Sequence, residues 1–134
     1  MDSFKVSFPG NKRVDVKFKN FLIQTDQETQ NGGEEAAPEP FTLFLAGLGA
    51  CAGLYAKTFC ETRNISTQGM GLTLNPQIKE GQKLMEKIEI TLHVNPDFPE
   101  KYIKAVIKAM NACSVKNQIN PELPIYSRVA YLKD

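Results

Sequence analysis

Three thiols and one imidazole carry most of the chemistry open to this chain: Cys51, Cys60, Cys113 and His93. A zinc site needs such groups at short, defined spacing, and the chain holds no C-x-x-C or H-x-x-x-H pair. Cys51 and Cys60 lie nine residues apart in one helical stretch. At about 3.6 residues per turn they point to opposite faces, so they share neither a metal nor a disulfide. His93 falls on the outward side of an alternating strand and is a poor candidate for base or ligand. A G-x-S-x-G nucleophile elbow is absent, as are a phosphate-binding loop and a dinucleotide fingerprint. No metal and no cofactor are therefore expected. What remains is the pair Cys51 and Cys113.

The element that must position Cys51 runs from Pro40 to Arg63, PFTLFLAGLGACAGLYAKTFCETR, with no charge between Phe41 and Ala56. A helix apolar all the way round is expected to be buried on every side. Its uncharged part falls short of the ~20 residues of a membrane span, so it reads as the central core helix of a soluble domain. Gly47, Gly49 and Gly53 each cost roughly 1 kcal/mol against Ala in a helix. Ala46, Gly49, Ala50 and Gly53 form a small-residue stripe at i, i+3, i+4, i+7, which admits another backbone. Cys51 lies off that stripe, and its sulphur leans back over Gly47 and Leu48, where glycine leaves room. From this stretch alone Cys51 is either a small core hydrophobe or a reactive thiol.

Cys113 follows an amphipathic stretch, at a junction from which a short second helix can start. A thiol at a helix N-terminus has its pKa lowered, and Lys116 one turn on would add to that. The other reading is a small cap-region residue without a role. Cys60 borders the polar Glu61-Thr62-Arg63 end and reads as structural.

The surrounding chain alternates where strands are needed. Phe4, Val6 and Phe8, then Val14, Val16 and Phe18, then FLIQT predict an antiparallel meander. Asp26 to Pro40 is rich in Gly, Pro and acids and reads as a long loop, by default a solvated linker. Asn64 is placed to end the core helix. ISTQGMGLTLNPQ and LMEKIEITLHV predict two more strands, the second with Ile88, Ile90, Leu92 and Val94 inward. Ile103, Val106, Ile107 and Met110 mark an amphipathic helix capped by Asp97, with Lys101, Lys104 and Lys108 outside. PIYSRVAYL closes the chain as a final strand. The order β-β-β-α-β-β-α-(α)-β makes an α+β fold, with antiparallel sheets around a long central helix.

At 134 residues the chain is expected to be one domain, residues 1–134, with a real core. The net charge is only +1, and no block of Lys or Arg stands out, so neither nucleic acid nor an anionic membrane is an expected partner. Met1 runs straight into the strand-like FKVSF, without the apolar region of a secretory signal. Three Cys in that context imply a reducing, cytoplasmic location and thiols that are catalytic or transiently oxidised.

PFTLFLAGLGAC, followed 62 residues after its cysteine by CSVKNQI, resembles the OsmC/Ohr family of osmotically inducible and organic hydroperoxide resistance proteins. The strand order along the chain is similar to that fold. The resemblance implies an intertwined homodimer with active sites at the subunit interface. It implies a thiol peroxidase in which Cys51 attacks the O–O bond, Cys113 resolves the sulfenic acid to a disulfide, and an external dithiol reduces the pair. A small-molecule organic hydroperoxide or related electrophile would occupy an apolar pocket, with Phe41, Phe44, Gly47, Leu48 and Tyr55 as candidates. The family's Arg from the N-terminal strands would be Arg13. The family's Glu just after the proline is replaced here by Phe41 and Thr42, which keeps open a second reading: a non-catalytic binding protein for a small apolar or reactive-sulphur ligand.

Overall fold

The computed structural model describes residues 1–119 together with Pro124, Tyr126 and Tyr131. The expected final strand PIYSRVAYL lies outside these residues, apart from three single positions. The elements follow one another as three strands, a long helix, two strands and two helices, an α+β fold. By its internal contacts the chain divides into two compact units, Met1–Gly49 and Ala50–Asp134.

In the first unit β1 (Lys5–Gly10), β2 (Arg13–Phe18) and β3 (Phe21–Thr25) form an antiparallel sheet in the order β1-β2-β3. Val6 pairs with Val16 and Val16 with Ile23, so one apolar row crosses all three strands. Phe4 stacks on Phe18 with ring centroids 4.4 Å apart. Yet Phe8 is 80% exposed and Phe21 67%. The sheet therefore presents bulky apolar side chains to solvent within one chain.

The loop after β3 is a built structure and corrects the expectation of a solvated linker. Asp26 is fully buried, and its carboxylate accepts the N–H groups of Gln27 (2.8 Å), Ala36 (3.1 Å) and Glu34 (3.3 Å). Burial of a carboxylate is tolerated only with such partners. A turn of 3-10 helix, Thr29–Asn31, leads into Gly32 at φ 88°. A Cβ on Gly33 would run into the Gln27 carbonyl, so glycine is required there. Composition hides this organisation because the polar groups that make it are the same ones that make a solvated loop.

Helix α1 (Pro40–Thr62) is the longest element. Asn64 ends it as expected, at φ 56°. Ile65 N–H reaches the Cys60 carbonyl and Asn64 N–H the Glu61 carbonyl, the paired bonds of a Schellman motif. At 23 residues α1 is long and apolar enough to cross a bilayer, by length and composition alone. A core helix of a soluble domain passes the same test. Burial on every side holds within one chain on one face only. Leu48, Ala52, Ala56, Phe59 and Cys60 are buried, whereas Phe41, Phe44 and Leu54 are exposed.

In the second unit β4 (Gly71–Ile78) and β5 (Met85–His93) pair antiparallel, Leu72 opposite Leu92 and Leu74 opposite Ile90. The strand expected from Ile65 starts only at Gly71, because residues 67–70 close a turn through Met70 N–H on the Thr67 carbonyl. Helix α2 (Ile103–Asn111) starts later than its sequence pattern suggests. A 3-10 turn, Glu100–Tyr102, precedes it, and Tyr102 rather than Asp97 holds the cap position. Val106 and Met110 are buried while Ile103 and Ile107 stay partly exposed. The core joins Ala52, Ala56, Phe59 and Cys60 of α1 to Phe98, Val106 and Met110, with Leu72, Ile90 and Leu92 of the sheet and Val94 just beyond it packed against it. Phe59 meets Tyr102 edge to face at 5.8 Å.

Candidate active site

Helix α1 carries Cys51 one turn before Tyr55, so the two side chains project from the same face. Cys113 caps α3 (Ser114–Asn117), the short helix that follows α2. The α2–α3 junction brings two consecutive residues, Cys113 and Ser114, against that face of α1. Tyr55 Oη and Ser114 Oγ lie 3.0 Å apart. All three cysteines are free thiols, Cys51 half-buried and the other two buried.

The acidities of the two thiols of the pair diverge, each perturbed by the other. Cys51 lies below the ordinary thiol range, chiefly because Cys113 donates its S–H to it. The Val115 N–H adds to this, partial burial opposes it, and the Ser114 N–H and hydroxyl help further. Cys113 is pushed up, first by burial and then by that same hydrogen bond to Cys51. The backbone N–H groups of Lys116 and Val115 offset only part of this. The sequence argument had the opening of the short helix lowering the pKa of Cys113. The structure reverses that, because Cys113 is fully enclosed and Cys51 is the thiol that gains. Lys116 also departs from expectation: its ammonium donates to Asn111 Oδ1 at 2.8 Å, and its charge is not among the causes that shift either thiol.

Cys60 faces the core, and burial raises its pKa against the pull of Arg63. His93 is exposed, and its Nε2 lies 3.0 Å from Thr73 Oγ1. Among the described residues no group of three or more His, Cys, Asp or Glu side chains comes together as a metal would need.

In the first unit Arg13 holds an ion pair with Glu34 at 3.0 Å and reaches Asp26 at 4.0 Å. Glu34 comes from the loop, ahead of Pro40, so the partner of Arg13 is a carboxylate that the motif spacing does not single out. Phe41 and Phe44 stack at 6.0 Å, and a Cβ at Gly47 would meet nothing within 4 Å. Leu48 is buried. Sequence reasoning missed Ser114, Glu34 and Asp26. The only signal for Ser114 was its position beside Cys113.

A model of the OsmC-like protein family matches residues 32–128. Among curated proteins none matches. Among solved structures, a Psychrobacter arcticus protein described by osmotic stress induction and detoxification response is 21% identical, with TM-score 0.76 over 90% of each chain. An OsmC-like protein from Mycoplasma pneumoniae is 15% identical, with TM-score 0.66 over 87% of this chain and 86% of that one. An organic hydroperoxide resistance protein from Elizabethkingia anophelis is 21% identical, with TM-score 0.58 over 91% of both. At such identities these likenesses establish the fold.

Proposed function

The chain belongs to the OsmC-like family, and from that premise we propose that it reduces organic hydroperoxides through Cys51 and Cys113 in a reducing cytoplasm. The observation that carries this reading is that α1 and the start of α3, tied by Tyr55 and Ser114 at 3.0 Å, hold two free thiols whose acidities are pushed apart. A nucleophile that is readily ionised beside a partner that keeps its proton is what a two-thiol peroxidase needs. Fold relatives named as hydroperoxide resistance proteins add support.

The Cys51 thiolate attacks the terminal peroxide oxygen, forming an S–O bond as the O–O bond breaks. The sulphur becomes a sulfenic acid, and the alkoxide leaves with a proton as the alcohol. Cys113 then attacks the sulfenic sulphur, forming the disulfide and releasing water. An external dithiol returns both thiols and is itself oxidised to a disulfide. Arg13 is carried forward as the charge that would assist the thiolate, with Glu34 as its orienting carboxylate in place of the family's Glu. Phe41, Phe44, Gly47, Leu48 and Tyr55 are proposed to line the apolar pocket. A homodimer is proposed because the first sheet and α1 leave Phe8, Phe21, Phe41 and Leu54 exposed in one chain.

Stopped-flow mixing of the reduced protein with an alkyl hydroperoxide tests the reading. Oxidation well above that of free cysteine at the same pH, lost in Cys51→Ser, is expected. In Cys113→Ser the sulfenic acid should persist and be trapped by dimedone. A rate equal to free cysteine, unaltered by Cys51→Ser, rejects the peroxidase and leaves the ligand-binding alternative.

A further inference from the structure

Arg63 follows the last residue of α1, and its guanidinium is held in place. Its Cζ lies 3.6 Å from the centre of the Phe59 ring and 5.5 Å from that of Tyr102. Nη1 donates to the Phe59 carbonyl at 3.1 Å and to the Thr62 hydroxyl at 3.0 Å, so both of its hydrogens are used. The Nε–H and the two hydrogens of Nη2 have no acceptor among the described residues. Glu61, two residues earlier, pairs instead with Lys57 at 3.5 Å. The edge left open is one on which a guanidinium takes a carboxylate through two parallel bonds.

This guanidinium stands at one end of a groove of about 450 Å³, within the size range of small-molecule sites. Leu54, Tyr55, Thr58, Phe59 and Thr62 of α1 line it, with Ala109 of α2 opposite. Leu54 and Thr58, like Tyr55 and Phe59, are four residues apart, so these walls are one face of α1. From Leu54 to Arg63 that face runs about 14 Å. Aromatic rings and aliphatic carbons make up most of the walls, and Arg63 is the only cation among the lining residues. One cation with an open donor edge, beside an apolar trough, suits a monoanion that carries a hydrocarbon chain. A phosphate dianion would call for a second cation.

We propose that the groove binds an aliphatic carboxylate, its head on the Nε–Nη2 edge of Arg63 and its chain along Thr58, Phe59 and Leu54. The stacked guanidinium is already ordered, so binding costs little side-chain freedom there. The site is separate from the thiol pair. Neither Cys51 nor Cys113 lines the groove, and Arg63 lies twelve residues past Cys51, about 18 Å along the helix axis. Tyr55 is the one residue shared with the apolar pocket proposed for the peroxide.

Decanoate is the probe. Calorimetric titration of the full, reduced chain should show saturable binding. Decanol, the same chain with a neutral head, should bind about tenfold or more weakly, the order expected for hydrogen bonds to a charged group. Arg63→Gln should weaken decanoate to the level of decanol and leave decanol unchanged. Thr58→Glu puts a like charge in the groove from an exposed helix position and should weaken decanoate while sparing the contacts of Arg63 with Phe59 and Thr62. Cys51→Ser should bind decanoate as the wild type does. Equal affinity for the acid and the alcohol overturns the proposal. So does a loss of binding in Cys51→Ser, which would place the acid at the thiols. Absence of saturable binding, the result if a second copy of the chain covers the groove, overturns it as well. None of these readings uses a hydroperoxide, so the groove and the peroxidase fail separately.

Discussion

Cys51 and Cys113 have their acidities pushed apart: Cys51 goes down, chiefly through a hydrogen bond with Cys113, and Cys113 goes up, first through burial and then through that bond. The donor keeps its proton more tightly because the bond exists only while the proton is present. The acceptor ionises more readily because the bond favours its anion. Removing the donor therefore has a definite sign. Cys113→Ala should shift the alkylation profile of Cys51 to higher pH and slow labelling at neutral pH. Cys113→Ser, which keeps a donor, should fall between. A Cys51 profile indifferent to both changes would contradict the contact.

Asp26 makes the first unit sensitive to acid. Its folded pKa lies below the ordinary carboxylate value because of the N–H bonds from Gln27 and Ala36. Burial opposes them, and the Glu34 N–H and Arg13 add smaller pulls. A carboxylate lowered on folding contributes stability in full above its unfolded pKa of about 3.9. The contribution fades as pH falls through the lower folded value. The thermal midpoint should hold down to about pH 5 and drop below pH 4. In Asp26→Asn one N–H would face an amide N–H, so the midpoint should fall by several degrees at neutral pH. Endoproteinase Glu-C should then cut at Glu28, Glu34 or Glu35, sites the wild-type loop protects.

Asn64 sits in the left-handed region at the end of α1, φ 56°. A non-glycine residue with a Cβ pays about 1 kcal/mol or more for that conformation, asparagine least among them. Asn64→Ala should lower stability by roughly 1 kcal/mol, and Asn64→Gly should match or exceed the wild type. Denaturant unfolding monitored by circular dichroism gives both values. An alanine variant as stable as glycine would show that the cap is unimportant.

The two halves of the amphipathic pattern in α2 are unequal. Met110 is 8% exposed and Ile107 47%. Met110→Ala should cost ~3 kcal/mol through lost burial and the cavity left behind, and Ile107→Ala under about 1 kcal/mol. Equal losses would mean that Ile107 is covered by something beyond one chain.

Exposed aromatics on the first sheet predict association. Sedimentation velocity should return a dimer at micromolar concentration, and Phe8→Glu or Leu22→Lys should weaken it. A monomer at high concentration would leave those side chains unexplained.

Much of this molecule is legible from residue order because the signals are local. Alternation marks β1, β2 and β5, and a short apolar run marks β3. An uncharged run marks α1 with Cys51 on it, Asn64 marks its end, and the parity of the strand puts His93 outside. Motif spacing singles out Cys113 as the second thiol. Local signals fail where a side chain's fate depends on a distant partner. Asp26 reads as one more loop acid until three backbone N–H groups close around it, and Asp97 reads as a cap until the chain takes a 3-10 turn first. Which thiol ionises is likewise a tertiary matter. Ser114 and Tyr55, 3.0 Å apart in space, are 59 residues apart along the chain, and the full burial of Cys113 is not marked by its neighbours in sequence. Periodicity reports which face of an element is apolar; burial and hydrogen bonding between remote residues set acidity, and these exist only once the chain has folded.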